Sequence, residues 1–107
     1  MKSYPKSLVR LLGNNPAMIE KYLQLFKTNA PGELSNLNVL IQKKKWQEAG
    51  VVAHALKSQL QYLDLEAAVR LAQQLESLCG QDTPDERRIR QLVTQLMRVV
   101  QTQIQQL

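Results

Sequence analysis

The chain holds one histidine, His54, within the run AGVVAHALKSQLQYL at residues 49–63. A neutral imidazole is a good nucleophile near neutral pH, because its ordinary pKa is about 6.5. Lys57 follows three residues later, and Gly50 and Ser58 stand one helical turn before and after the ring. Gln61, a further turn on, is a candidate hydrogen-bond partner. If this segment is a helix, the ring has small flanks and one cation beside it. That arrangement suits reversible phosphoryl capture. In-line attack on phosphorus needs steric clearance, which Gly50 and Ser58 supply. An ammonium such as Lys57 stabilises phosphoryl oxygens. Other chemistries fit poorly. A metal site lacks a second histidine, and the single cysteine, Cys79, falls on another helix. No Ser-His-Asp arrangement is visible, since nothing near Ser58 in sequence orients the ring.

Whether the ring is reachable depends on the element that carries it. At 100° per residue, Ala49, Val52, Ala53, Leu56, Leu60 and Leu63 fall on one face, and His54 lies about 150° from its centre. The histidine is therefore expected on the solvent side of a helix spanning about residues 46–63. Trp46 is expected to anchor the start of that helix. Periodicity near 3.6 also dominates elsewhere, with no strand alternation. A short helix over about residues 5–12 stops at Gly13 and Asn14. A second opens at Asn15 and Pro16, an N-cap followed by proline at the first helical position. Its stripe of Ile19, Tyr22, Leu23, Phe26, Ala30, Leu37, Leu40 and Ile41 keeps phase across Pro31, which predicts one long kinked helix. A fourth is expected from Asp64, as N-cap, to near Gly80, with Leu65, Ala68, Ala72, Leu75, Leu78 and Cys79 inward. The last begins at TPDE, residues 83–86, read as a capping box with Pro84 at the first turn. Its inward face is Ile89, Leu92, Val93, Leu96, Val99, Val100, Ile104 and Leu107. Val51 and Leu25 lie off their stripes and are candidate docking residues. Four long amphipathic helices with short connections predict an all-α protein, an antiparallel four-helix bundle with a short additional N-terminal helix.

Length and charge narrow the partners. At 107 residues the chain is expected to form one domain over residues 1–107. Hydrophobic residues are 44% of the total and charges are interspersed, which excludes a disordered or fibrous class. No apolar run reaches the roughly 18 residues of a membrane span, and the N-terminus carries no signal-peptide cleavage pattern. With one cysteine, a cytoplasmic setting is the simpler expectation. The net charge of +5 admits nucleic acid, an acidic membrane or an acidic protein partner. The basic runs at residues 43–45 and 87–90 have no interleaved aromatics, so nucleic acid is not expected.

The run Ala53, His54, Ala55, Leu56, Lys57, Ser58 resembles the motif of the histidine-containing phosphotransfer (HPt) family of bacterial multistep phosphorelays. The segments NPAMIEKYLQLFKTNAPGELSNL, WQEAGVVAHALKS and LEAAVRLAQQLE are similar to the family's helices around that motif. The resemblance covers most of residues 14–79. It implies a four-helix bundle whose exposed histidine shuttles phosphate between receiver-domain aspartates. His54 corresponds to the phospho-accepting residue, Lys57 to the phosphate-stabilising lysine, and Ser58 to a small position that is usually glycine. A second common glycine, near the end of the histidine helix, is replaced by Asp64. The resemblance also implies receiver domains and a hybrid sensor histidine kinase as partners. Mg²⁺ is expected in the receiver, with no cofactor in this chain. A monomer without membrane contact is the expected form. The rival reading is a helical interaction or dimerisation domain that is never phosphorylated.

Overall fold

A computed structural model describes residues 3–107; residues 1 and 2 of the expected domain lie outside them. The described residues form five helices and no strand: α1 (Lys6–Leu12), α2 (Pro16–Gln42), α3 (Trp46–Tyr62), α4 (Glu66–Cys79) and α5 (Glu86–Gln106). Helix α2 packs on α3 and α5, and α4 packs on the same two, so the long helices enclose a common interior. Helix α1 lies against α2 and α3.

The interior is wholly apolar among the described residues. Leu23, Phe26, Leu37 and Ile41 from α2 meet Leu56 and Leu60 from α3, Leu75 from α4, and Ile89, Leu92 and Leu96 from α5 in one cluster. Each such side chain contributes about 1.5–3 kcal/mol when fully buried. Helix α2 runs unbroken through Pro31. Leu34, absent from the expected stripe, is 2% exposed and bridges Ala30 to Leu37. Continuous burial on both sides of Pro31 offsets the roughly 3 kcal/mol that an interior proline costs. Tyr22, Leu40 and Val52 are only half-buried, at the margins of their stripes.

The start of α4 differs from expectation. Asp64 is not its N-cap; that position belongs to Leu65, which makes no side-chain cap. Asp64 has φ 56°, and the Leu65 N–H returns to the Leu60 carbonyl at 3.2 Å. This is the Schellman ending of a helix, with a left-handed residue just past the cap. Helix α2 ends the same way: Lys44 has φ 59° and the Lys45 N–H returns to the Leu40 carbonyl at 2.9 Å. A glycine would meet the backbone demand at residue 64 without strain. The Asp64 carboxylate instead turns to α1, accepting from the Ser7 N–H at 3.0 Å and the Ser7 hydroxyl. It therefore satisfies the first turn of another helix, not of its own.

The start of α5 is also corrected. Asp85 is the N-cap and accepts from the Arg88 N–H at 3.1 Å. Thr83 and Pro84 precede the helix, so the expected capping box does not form. The first helical bond runs from the Ile89 N–H to the Asp85 carbonyl at 2.9 Å, which brings Ile89 into the core. No helix among the described residues is long and apolar enough to cross a membrane.

Candidate functional site

Helix α3 has its rotation fixed by Ala49, Ala53 and Leu60, all completely buried, and by Leu56. His54 consequently faces water, with 60% of its side chain exposed. It is not unpartnered. Ala49 and Ala53 on α3 and Ala68 and Ala72 on α4 are fully buried, and small side chains let two backbones approach closely. That approach brings Glu76, one turn beyond Ala72, to the edge of the histidine. The His54 Nδ1 lies 2.5 Å from Glu76 Oε2, and Lys57 Nζ donates to Glu76 Oε1 at 2.9 Å. One carboxylate therefore holds both residues of the sequence motif.

The hydrogen bond fixes the chemistry of the ring. An ionised carboxylate only accepts, so in the neutral ring the proton belongs on Nδ1, which leaves the Nε2 lone pair directed away from Glu76. Lys57 is more enclosed than a free surface lysine, with 19% of its side chain exposed. Its ammonium, hydrogen-bonded to Glu76, holds that carboxyl below the usual range, and His54 adds to the effect against an opposing desolvation. The pair is partly solvated, and such pairs are worth about 0–1 kcal/mol to folding. It orients more than it stabilises.

The small residues behave differently from one another. The Ser58 hydroxyl donates to the His54 carbonyl at 3.3 Å, so it folds back on its own helix and leaves the ring clear. A Cβ at Gly50 would sit 3.5 Å from the Cys79 Cβ, an ordinary contact. Backbone crowding therefore does not demand glycine there. Gly50 instead lines an open groove of about 620 Å³ beside His54, with Trp46, Val51, Glu76, Cys79 and Gly80. Burial raises the Cys79 thiol above its ordinary pKa.

Val51 is 66% exposed on this groove, on the α4 flank of α3. Leu25, 51% exposed, belongs to the other flank, where it lines a depression with Tyr22, Phe26, Glu33 and Gln59. The two candidate docking residues thus border separate hollows. Gln61 lines a third, with Ser7, Asp64 and Arg70, away from the groove that holds His54. Among the described residues, no group of three or more His, Cys, Asp or Glu side chains is placed to hold a metal.

Glu76 lies 22 residues from His54 along the chain, and spacing around the histidine carries no sign of it. The one available signal is its place on α4. It borders the inward stripe of Ala72, Leu75 and Cys79, so it had to face a neighbouring helix.

The Hpt domain family model matches residues 21–107, from the first turns of α2 through α5. No curated protein and no solved structure matches the chain.

Proposed function

The chain belongs to the Hpt domain family, and from that membership we propose that His54 is its phospho-accepting residue. The family works in histidine phosphotransfer within phosphorelays, with receiver domains and histidine kinases, and its members are phosphocarriers and not independent enzymes. The observation that carries the assignment to His54 is its geometry. The chain's one imidazole is exposed, with Nδ1 engaged by Glu76 and Nε2 free.

In this reading residues 1–107 form one antiparallel four-helix bundle with α1 as an accessory helix, acting as a monomer in the cytoplasm. A receiver domain brings phospho-aspartate and Mg²⁺ in an acidic pocket. The Nε2 lone pair attacks phosphorus, the P–O bond to the aspartate breaks, and its electron pair leaves on the receiver's carboxylate. Lys57 Nζ, bound to the same carboxylate as the ring, screens the phosphoryl oxygens. Gly50 and Ser58 leave room for the in-line approach. Val51 and Leu25, on the two flanks of α3, meet apolar surface of the receiver. Reversal of the same step on a second receiver completes the relay, and a hybrid sensor kinase supplies the first phosphoryl group.

The test is transfer from a receiver charged with labelled acetyl phosphate in the presence of Mg²⁺. An acid-labile label should appear on the native protein and be absent from His54→Gln. Label that persists in His54→Gln would overturn the assignment. A stable complex with an unlabelled native protein would favour a helical interaction domain instead.

A further inference from the structure

We propose that the groove between α3 and α4 beside His54 seats an apolar side chain of the receiver domain, and that Gly50 and Gly80 keep that seat open. This rests on the reading of His54 as the phospho-acceptor, and it names what the receiver places next to the reacting ring. The groove begins at His54 and Glu76 and reaches Trp46 and Gly80. Trp46 stands eight residues before His54 on α3, about 12 Å along the helix axis. The surface between them is apolar. Trp46 is half-buried against the core, Cys79 is 5% exposed, and Val51 rises from the α3 bank.

The fold does not account for the two glycines. Gly80 closes α4 with φ −86°, a backbone open to any residue. A Cβ there would lie 3.6 Å from the Glu76 and Ser77 carbonyl oxygens, an ordinary contact. Gly50 sits inside α3, where a Cβ would likewise make only ordinary contact with Cys79. Glycine inside a helix destabilises it relative to alanine. Neither position needs glycine for its backbone, and both face the same hollow.

Three observations identify the occupant. His54 itself lines the groove, so a receiver whose aspartate stands in line with phosphorus and Nε2 must cover the groove's near end. The charge suits an acidic surface. The lysines at residues 43–45 run into Trp46, and Asp82 beyond Gly80 offsets only part of their charge. Glu76, which lines the groove, is already bound by His54 and Lys57. The shape argues against a small ligand, which a tight site encloses on most of its surface, whereas this groove is open. An apolar side chain at the rim of the receiver's acidic pocket meets all three conditions. The hollow beside Leu25 fails the first, because His54 does not line it.

The experiment uses the full chain and two variants, Gly80→Ala and Gly80→Leu. His54 is phosphorylated by a charged receiver with Mg²⁺ over a range of receiver concentrations. It is separately phosphorylated by labelled phosphoramidate, a donor too small to need docking. In Gly80→Leu the receiver concentration for half-maximal transfer should rise about tenfold, the order expected when one apolar side chain is kept from burial, and in Gly80→Ala it should rise less. The rate at saturating receiver and the labelling by phosphoramidate should match the native protein. Gly50→Ala should melt at a higher temperature than the native chain. Unchanged half-maximal concentrations in both Gly80 variants overturn the inference and leave the function standing. Equal losses with both donors also overturn it, since they would place Gly80 in folding or in the transfer step. Self-association of the native chain that Gly80→Leu abolishes would assign the groove to a second copy instead. A lower melting temperature in Gly50→Ala would show that the fold requires that glycine and would remove it from the seat. If the native protein takes no label on His54 from a charged receiver, the function and this inference fall together.

Discussion

At the scale of single residues, the proposed chemistry rests on three side chains from two helices. His54 and Lys57 share α3, and Glu76 reaches both from α4. Lys57→Ala should slow phosphotransfer several-fold or more, because an uncompensated phosphoryl charge then faces Glu76. It should change folding stability by less than about 1 kcal/mol, as for other partly solvated ion pairs. Transfer kinetics beside a urea melt separate the two effects, and an unchanged transfer rate would remove Lys57 from the mechanism. Ser58 is half-buried with its hydroxyl bonded to the His54 carbonyl. Ser58→Leu should place a branched side chain one turn from the ring and abolish transfer from a receiver while the helical circular-dichroism signal persists. Normal transfer by that variant would show that clearance on this flank is irrelevant.

At the scale of elements, the turns decide where helices stop. Asp64 combines a left-handed backbone with a carboxylate that caps α1 through Ser7. The hydroxyl and then the backbone N–H of Ser7 hold its pKa below the ordinary 3.8. A carboxyl depressed by folding contributes stability above its unfolded pKa, and that stability disappears as pH falls through the folded value. The Asp64 contribution should therefore be present at neutral pH and fade below about pH 4. Asp64→Asn tolerates the same backbone but cannot ionise. Its melting temperature should fall less between pH 6 and pH 3 than that of the native protein; identical acid dependence in the two would dismiss the cap. Pro31 offers the opposite case. Its ring is exposed inside a continuous helix, so Pro31→Ala restores a helical hydrogen bond and should stabilise the protein by about 1–3 kcal/mol. Destabilisation in a denaturant titration would mean that α2 depends on the proline's geometry.

At the scale of the whole molecule, charges distant in sequence meet at one end. Lys44 Nζ lies 3.6 Å from Glu86, and Arg90 donates to Gln42 at 2.7 Å, joining the α2–α3 turn to the start of α5. The runs at residues 43–45 and 87–90 therefore form a shared basic end. Trp46 and Gly80, beside these turns, line the His54 groove. In the proposed relay, an acidic receiver approaching the histidine would meet this end as well, which favours encounter more than final affinity. Replacing Lys43 and Lys45 together by glutamate should cut the transfer rate several-fold at low ionic strength. The difference should shrink near 0.5 M salt, where screening shortens to a few ångströms. A salt-independent difference, or none at low salt, would dissociate the basic end from docking.

Much of this was legible in one dimension. The inward faces of α3, α4 and α5 followed from apolar spacing, because burial in a helix obeys one fixed angle per residue. The outward direction of His54 followed from the same angle. Asp64 and the Thr83 capping box were misplaced because several acceptors stand near each helix start, and only the packed backbone chooses among them. Glu76 was invisible for a related reason. Its border position on α4 announces a neighbour, but not which one. The sequence alone determined which faces are buried and which residue could carry a phosphoryl group. Only the tertiary structure decided what touches that residue. Contacts between helices depend on how closely small side chains such as Ala53 and Ala72 let two backbones approach, and no local pattern records that distance.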